Sequence, residues 1–121
     1  MTDSAPARIL LCRVGAQKFG LQLDAVKEVC TDLPVVRMPG VAVVVEGVAN
    51  VRGTVVTVLS GAALIGQEGP PGPRGDWLVV LRSRNGRVAL AVDEVEDFGA
   101  STGVPILDIE ALLRPLFPGG R

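Results

Sequence analysis

Four carboxylates crowd one short segment, AVDEVEDFG, where Asp93, Glu94, Glu96 and Asp97 lie within five consecutive positions. Acids this close could act as a general acid and base pair. The other reactive side chains are two thiols, Cys12 and Cys30, and there is no histidine at all. That absence removes the usual general base, the Ser-His and Cys-His nucleophile pairs, and most zinc sites. Two cysteines so far apart do not make a thiolate metal site either. No GxGxxG follows a strand pattern and no GxxxxGK[ST] occurs, so a phosphate-cradling loop is not supported. The acids then read as the solvated face and end of a strand. No catalytic residue, metal site or cofactor is expected.

A second kind of chemistry, recognition, is offered by GVANVRGTVVTVLSG, residues 47–61. It sets Asn50 and Arg52 in a glycine-flanked turn ahead of a branched apolar run from Val55 to Leu59. Gly53 suits the turn because it adopts positive φ without a steric penalty. Asn50 can close the turn by bonding its side chain to its own backbone. Arg52 is then either a functional cation held at the end of a rigid strand or a solvated turn residue.

What holds these residues follows from composition. The chain has 121 residues and a mass of 12.6 kDa, with 48% apolar and 3% aromatic residues. One domain of that size buries a core, and a core of valine, leucine, isoleucine and alanine favours strands. Twelve basic and thirteen acidic residues give a net charge of −1. With neither charge excess nor base-stacking aromatics, nucleic-acid binding is not expected. The N-terminus carries an acid at Asp3 and only Ile9 to Cys12 as a continuous apolar run, which is neither a secretory signal nor a membrane span. No direct membrane insertion, a cytoplasmic location and two buried reduced thiols are expected.

Along the chain, RILLCRV and KFGLQL read as a hairpin, and Asp24 as the cap of one helical turn before the chain extends through Val29. Pro34 and Pro39 block both a helix and a central strand. Strands flank the turn from Asn50 to Gly53, and Ser60 caps a helical turn that Gly66 ends. Residues 1–7 are expected to be flexible and 66–76 to form a stiff Gly/Pro loop. DWLVVLR and RVALAVDEV are strands joined at Asn85-Gly86. Asp108 caps a final helix with Leu112, Leu113 and Leu116 on one face, ended by Pro115 and Pro118. The fold class is mostly β.

In that order the pieces resemble the CheW-like domain, the adaptor fold of bacterial chemosensory systems. The resemblance rests on FGLQLDAVKEV, the proline pair in LPVVRMPG, GVANVRGTVVTVL, WLVVLRSRNGRVALAVDEVED and ILDIEALL, over residues 9–113. It departs at Thr57 to Ala62, where the family has proline-valine-isoleucine-aspartate-leucine-arginine, and after VDEVED, where a longer segment is missing. The resemblance implies a single domain over 1–121 of two small SH3-like five-stranded β-barrels, one of them trimmed, with a short C-terminal helix. It implies a non-catalytic scaffold that couples a chemosensory histidine kinase, through its regulatory domain, to the cytoplasmic tip of a chemoreceptor.

By position the resemblance makes Val26, Glu28, Val29, Val48, Arg52 and Val55 the partner-binding residues, with Asn50 and Gly53 supporting the turn. Glu28 and Arg52 are the only opposite charges in that set, so they are expected to pair, the alternative being that each faces water. For the valines, groove exposure and plain core packing both remain open. Trimming exposes a barrel edge, so the chain is expected to self-associate as a homo-oligomer or to need a partner there. The competing reading is a small β-barrel that binds peptide or protein in another complex.

Overall fold

The structure is a computed structural model that describes residues 8–37, 44–66, 77–82, 87–100 and 103–114, with backbone alone for 97–100. The segment 1–7, Pro39, the Gly/Pro loop from 67, the Asn85-Gly86 turn, Pro115, Leu116 and Pro118 lie outside the described residues. Among the described residues ten strands form two sheets. They are β1 Arg8–Val14, β2 Gln17–Gln22, β3 Val26–Thr31, β4 Val35–Arg37, β5 Val45–Val51, β6 Thr54–Ser60, β7 Trp77–Leu81, β8 Val88–Val92, β9 Glu94–Ala100 and β10 Ile106–Leu107. Two short helices, α1 Gly61–Leu64 and α2 Ile109–Leu113, complete them.

The sheets run β10-β2-β1-β9 and β3-β7-β8-β6-β5-β4. The mostly β architecture stands, with sheets of four and six strands where the resemblance implied two five-stranded barrels, one of them trimmed. Val35–Arg37 adds a sixth strand to the larger sheet, in the segment where the prolines argued only for extended chain. It sits at an edge, where Pro34 just before it costs no ladder bond. The smaller sheet ends in β10, two residues long.

Two apolar clusters explain why the central strands read as unbroken apolar runs. Val79, Leu81, Val88, Leu90 and Val92 pack with Leu10, Cys12, Val14, Phe19 and Leu21 of the smaller sheet and with Ile109 and Leu113 of α2. Leu78, Val80, Ala89 and Ala91 point to the other side and pack with Ala49, Val51, Val56 and Val58. With both faces of β7 and β8 buried, alternation disappears from their sequences. Each fully buried Val or Leu contributes about 1.5–3 kcal/mol, so much of the stability is concentrated here.

Local signals fare unevenly. Ser60 Oγ accepts a hydrogen bond from Ala63 N at 3.2 Å, and Asp108 Oδ1 accepts one from Ala111 N at 3.2 Å, so both helices are capped as expected. Asp24 is not a cap: it lies inside the 3₁₀ turn Leu23–Ala25, which follows Gln22 without a side-chain cap. In α2 the buried pair is Ile109 and Leu113, four apart, while Leu112 is half-buried. RVALAVDEV is two strands rather than one, because the chain leaves the larger sheet after Val92 and enters the smaller one at Glu94.

Gly61 begins α1 where the helix meets β8, and a Cβ there would stand 2.6 Å from the Ala91 carbonyl oxygen. Backbone cannot yield as a flexible side chain can. Gly61→Ala should therefore lower unfolding free energy by about 1–3 kcal/mol in urea denaturation, and Ser60→Ala by about 1 kcal/mol through the lost cap.

Candidate partner-binding surface

The turn in GVANVRG joins β5 to β6 by two residues, since Val51 is paired with Thr54. Both loop residues have positive φ, 53° at Arg52 and 83° at Gly53, as a type I′ hairpin turn requires. Asn50 Oδ1 accepts from Gly53 N at 2.8 Å and closes the turn. The sequence accounts for Gly53 and Asn50 but not for Arg52. A non-glycine side chain is sterically disfavoured in the left-handed region, and this loop position usually goes to Asn, Asp or Gly. Once β5 and β6 pair with two residues between them, the turn must be type I′ or II′, and both put positive φ at the first of the two, Arg52.

Arg52 is fixed as well as strained. Its Nε donates to Glu28 Oε1 at 2.9 Å and lies 3.4 Å from Oε2, so the expected pair forms. The Glu28 side chain is 23% exposed and that of Arg52 81%. The carboxylate is thus the seated partner and the guanidinium the one presented to solvent. The hydrogen bond and charge of Glu28 push the arginine pKa above its ordinary value, so the cation persists across the physiological range.

The valines separate into two groups. Val26 pairs with Leu81 and Val29 with Val79, and both pack half-buried against the main core. Glu28 lies opposite Val80, on the other face, because the strand bulges between Val26 and Glu28. Core packing therefore accounts for Val26 and Val29, and a common wall with Glu28 does not form. Val48 and Val55 lie on the outer face of β5 and β6, Val48 opposite Val36 and Thr57, Val55 opposite Asn50. Val55 is 61% exposed and Val36 65%. Val36 is a surface residue that Pro34 and Pro39 hide in the sequence, since they argue for extended chain, and only pairing with β5 makes the segment an edge strand. A cleft of about 350 Å³ lies elsewhere, between Gln22, Arg82 and the β10–α2 junction, and none of these partner-binding candidates lines it.

The acidic run is engaged across strands. Arg13 bonds Glu94 at 2.8 Å and lies 3.3 Å from Glu96, which also meets Lys18 at 3.1 Å. Asp93 Oδ2 accepts from Gly15 N at 2.6 Å. No group of three or more metal-ligating side chains occurs among the described residues. Both cysteines are free thiols, Cys12 buried and Cys30 only half-buried. Burial pushes the Cys12 thiol up to about 12. Burial, then the charge of Glu28, raises that of Cys30, with Arg52 opposing.

The CheW-like domain profile matches residues 8–100. The chain belongs to the CheW-like domain family. Among curated CheW-like relatives, a chemotaxis protein CheW of Rhizobium meliloti is 30% identical over 89 residues, and a probable chemotaxis protein CheW of Rhizobium etli is 29% identical over 89. Each match takes in 74% of this chain and 57% of the relative, so the chain spans little more than half their length. The crystal structure of the scaffolding protein TtCheW from Thermoanaerobacter tengcongensis shares the fold, with a TM-score of 0.77 at 18% identity, over 89% of this chain and 92% of that one. No helix among the described residues is long and apolar enough to cross a membrane. In this CheW-like domain the altered stretch from Thr57 to Ala62 still forms its helix, because Ser60 supplies the cap where the family pattern has aspartate.

Two outcomes follow from these local environments. Arg52→Asn removes the cation but suits the turn, so its melting temperature should stay within about 4 °C of wild type or rise above it; a larger fall would show that the ion pair is structural. Cys12 is neutral in the folded state up to about pH 12, whereas the unfolded thiol ionises near its ordinary 9.0. Its stabilising contribution is complete below pH 9 and is lost as pH rises from 9 toward 12. Thermal denaturation of Cys12→Ala should show a shallower decline over that window than wild type.

Proposed function

We propose that this chain is a non-catalytic adaptor of bacterial chemosensory signalling. It acts in the cytoplasm, binding the regulatory domain of a histidine kinase and the cytoplasmic tip of a chemoreceptor, and needs no cofactor. Membership of the CheW-like family and the likeness to curated chemotaxis proteins support the pathway. The observation that carries the binding role is the outer face of β4, β5 and β6. There Val36 and Val55 are exposed and Val48 is half-buried, and the turn that joins β5 to β6 holds an arginine in a disfavoured backbone conformation, bonded to Glu28.

Exposed aliphatic side chains on two strands and an oriented arginine in the turn between them suit protein binding, since arginine is enriched among residues that dominate interface energetics. Strain at Arg52 has no benefit to folding, which points to selection for what the side chain contacts. A helix hairpin or a β-barrel rim can cover such a patch without any catalytic group.

A pull-down with the immobilised full chain tests this. Wild type should retain the kinase regulatory domain or the receptor tip, while Arg52→Glu and Val55→Asp each weaken retention by at least about tenfold. Arg52→Asn should lose binding yet melt like wild type, which separates recognition from folding. Failure of the wild-type chain to retain either partner would defeat the adaptor reading.

A further inference from the structure

Gly47 opens the GVANVRG stretch but takes no part in its turn, which Asn50, Arg52 and Gly53 complete. It is buried in β5, opposite Arg37 of β4 on one side and Val58 of β6 on the other. The ladder to β6 shifts through a bulge between Val45 and Gly47, and a bulge re-aims the side chains of its strand. A Cβ on Gly47 would point into β4. It would fall on the Val36 carbonyl oxygen, 2.8 Å from the carbonyl carbon and 3.0 Å from Arg37 Cα.

All of these atoms are backbone, so no rotamer change relieves the overlap and one strand must move. β5 is the anchored one. It pairs with β6 from Val45 to Val51 and sends Ala49 and Val51 into an apolar cluster. β4 pairs with β5 over Val35–Arg37 alone, at the edge of the sheet, and Pro34 before it has no N–H to add to the ladder. A side chain at position 47 therefore displaces β4. With β4 moves Val36, which is exposed and lies opposite Val48.

We infer that Gly47 is a positioning residue of the binding face: the space a side chain would fill is where the Val36 carbonyl lies, and that seating sets where Val36 meets a partner. Being buried, Gly47 touches no partner itself. It differs in this from Gly53, where a Cβ would meet nothing within 4 Å and the demand is for positive φ. One glycine of the stretch gives space between strands, the other a conformation. The inference rests on the adaptor reading for its partner, whereas the seating of β4 does not.

Gly47→Ala, Val36→Ser and the double variant, each in the full chain, test it by backbone amide exchange and by affinity. The ligand is whichever of the kinase regulatory domain and the receptor tip the wild type retains. Gly47→Ala should speed exchange within 35–37 at least about tenfold while amides within 78–80 and 88–91 stay protected, since only the edge strand detaches. Its affinity should fall about tenfold, as should that of Val36→Ser. In the Val36→Ser background, Gly47→Ala should cost no more than about twofold further, because both act through one side chain. The inference is overturned if exchange in β4 is unchanged, if either single variant binds like wild type, or if the two losses multiply in the double variant. It is overturned as well if β7 and β8 lose protection, which makes Gly47 a residue of the whole fold. A wild type that retains neither partner removes the adaptor reading and the positioning role with it, and exchange then decides only whether Gly47 seats β4.

Discussion

Strands β7 and β8 bury side chains on both faces, and everything else is arranged around that demand. One face needs the curl of β5 and β6 to cover Leu78, Val80, Ala89 and Ala91; the other needs the smaller sheet and α2 to cover Val79, Leu81, Leu90 and Val92. Neither layer suffices alone, since a sheet left half-covered exposes apolar area to water. The two apolar clusters are therefore joined through one pair of strands in the larger sheet, whose opposite faces they cover.

Asp93 is where that arrangement is tied together. It is the single residue between β8 in one sheet and β9 in the other, and it is bonded at both ends of the change. Its N–H donates to the Arg13 carbonyl at 2.9 Å, and its carboxylate accepts from Gly15. The acid that first suggested proton-transfer chemistry thus fixes the β1–β2 turn against the crossover. Glu94 and Glu96 continue the same role through Arg13 and Lys18, so these three acids are architectural.

The surface beside Arg52 depends on the same framework. β6 lies next to β8, so the rigidity of the buried pair extends through β6 to the β5–β6 turn. Glu28 comes from β3, bonded to β7 on the opposite side of the sheet. The ion pair therefore joins the β3 edge of the sheet to the β5–β6 turn, which is why a residue 24 positions earlier in the chain can orient Arg52.

Much of this was legible in the sequence wherever the determining forces are local. Composition and period pointed to a valine-rich β fold; Ser60 and Asp108 announced their helices, since a cap acts within three residues; Asn50 and Gly53 announced their turn. The Glu28–Arg52 pair was also foreseeable, from two opposite charges in a matched set. What tertiary structure alone decided was which way side chains face. A bulge in β3 turns Val26 and Val29 to the core and Glu28 away from it, and no periodicity shows a bulge. The positive φ of Arg52, the exposure of Val36 and the split of VALAVDEVED between two sheets depend likewise on strand pairing, which is set by residues distant in the chain and by the area they bury together.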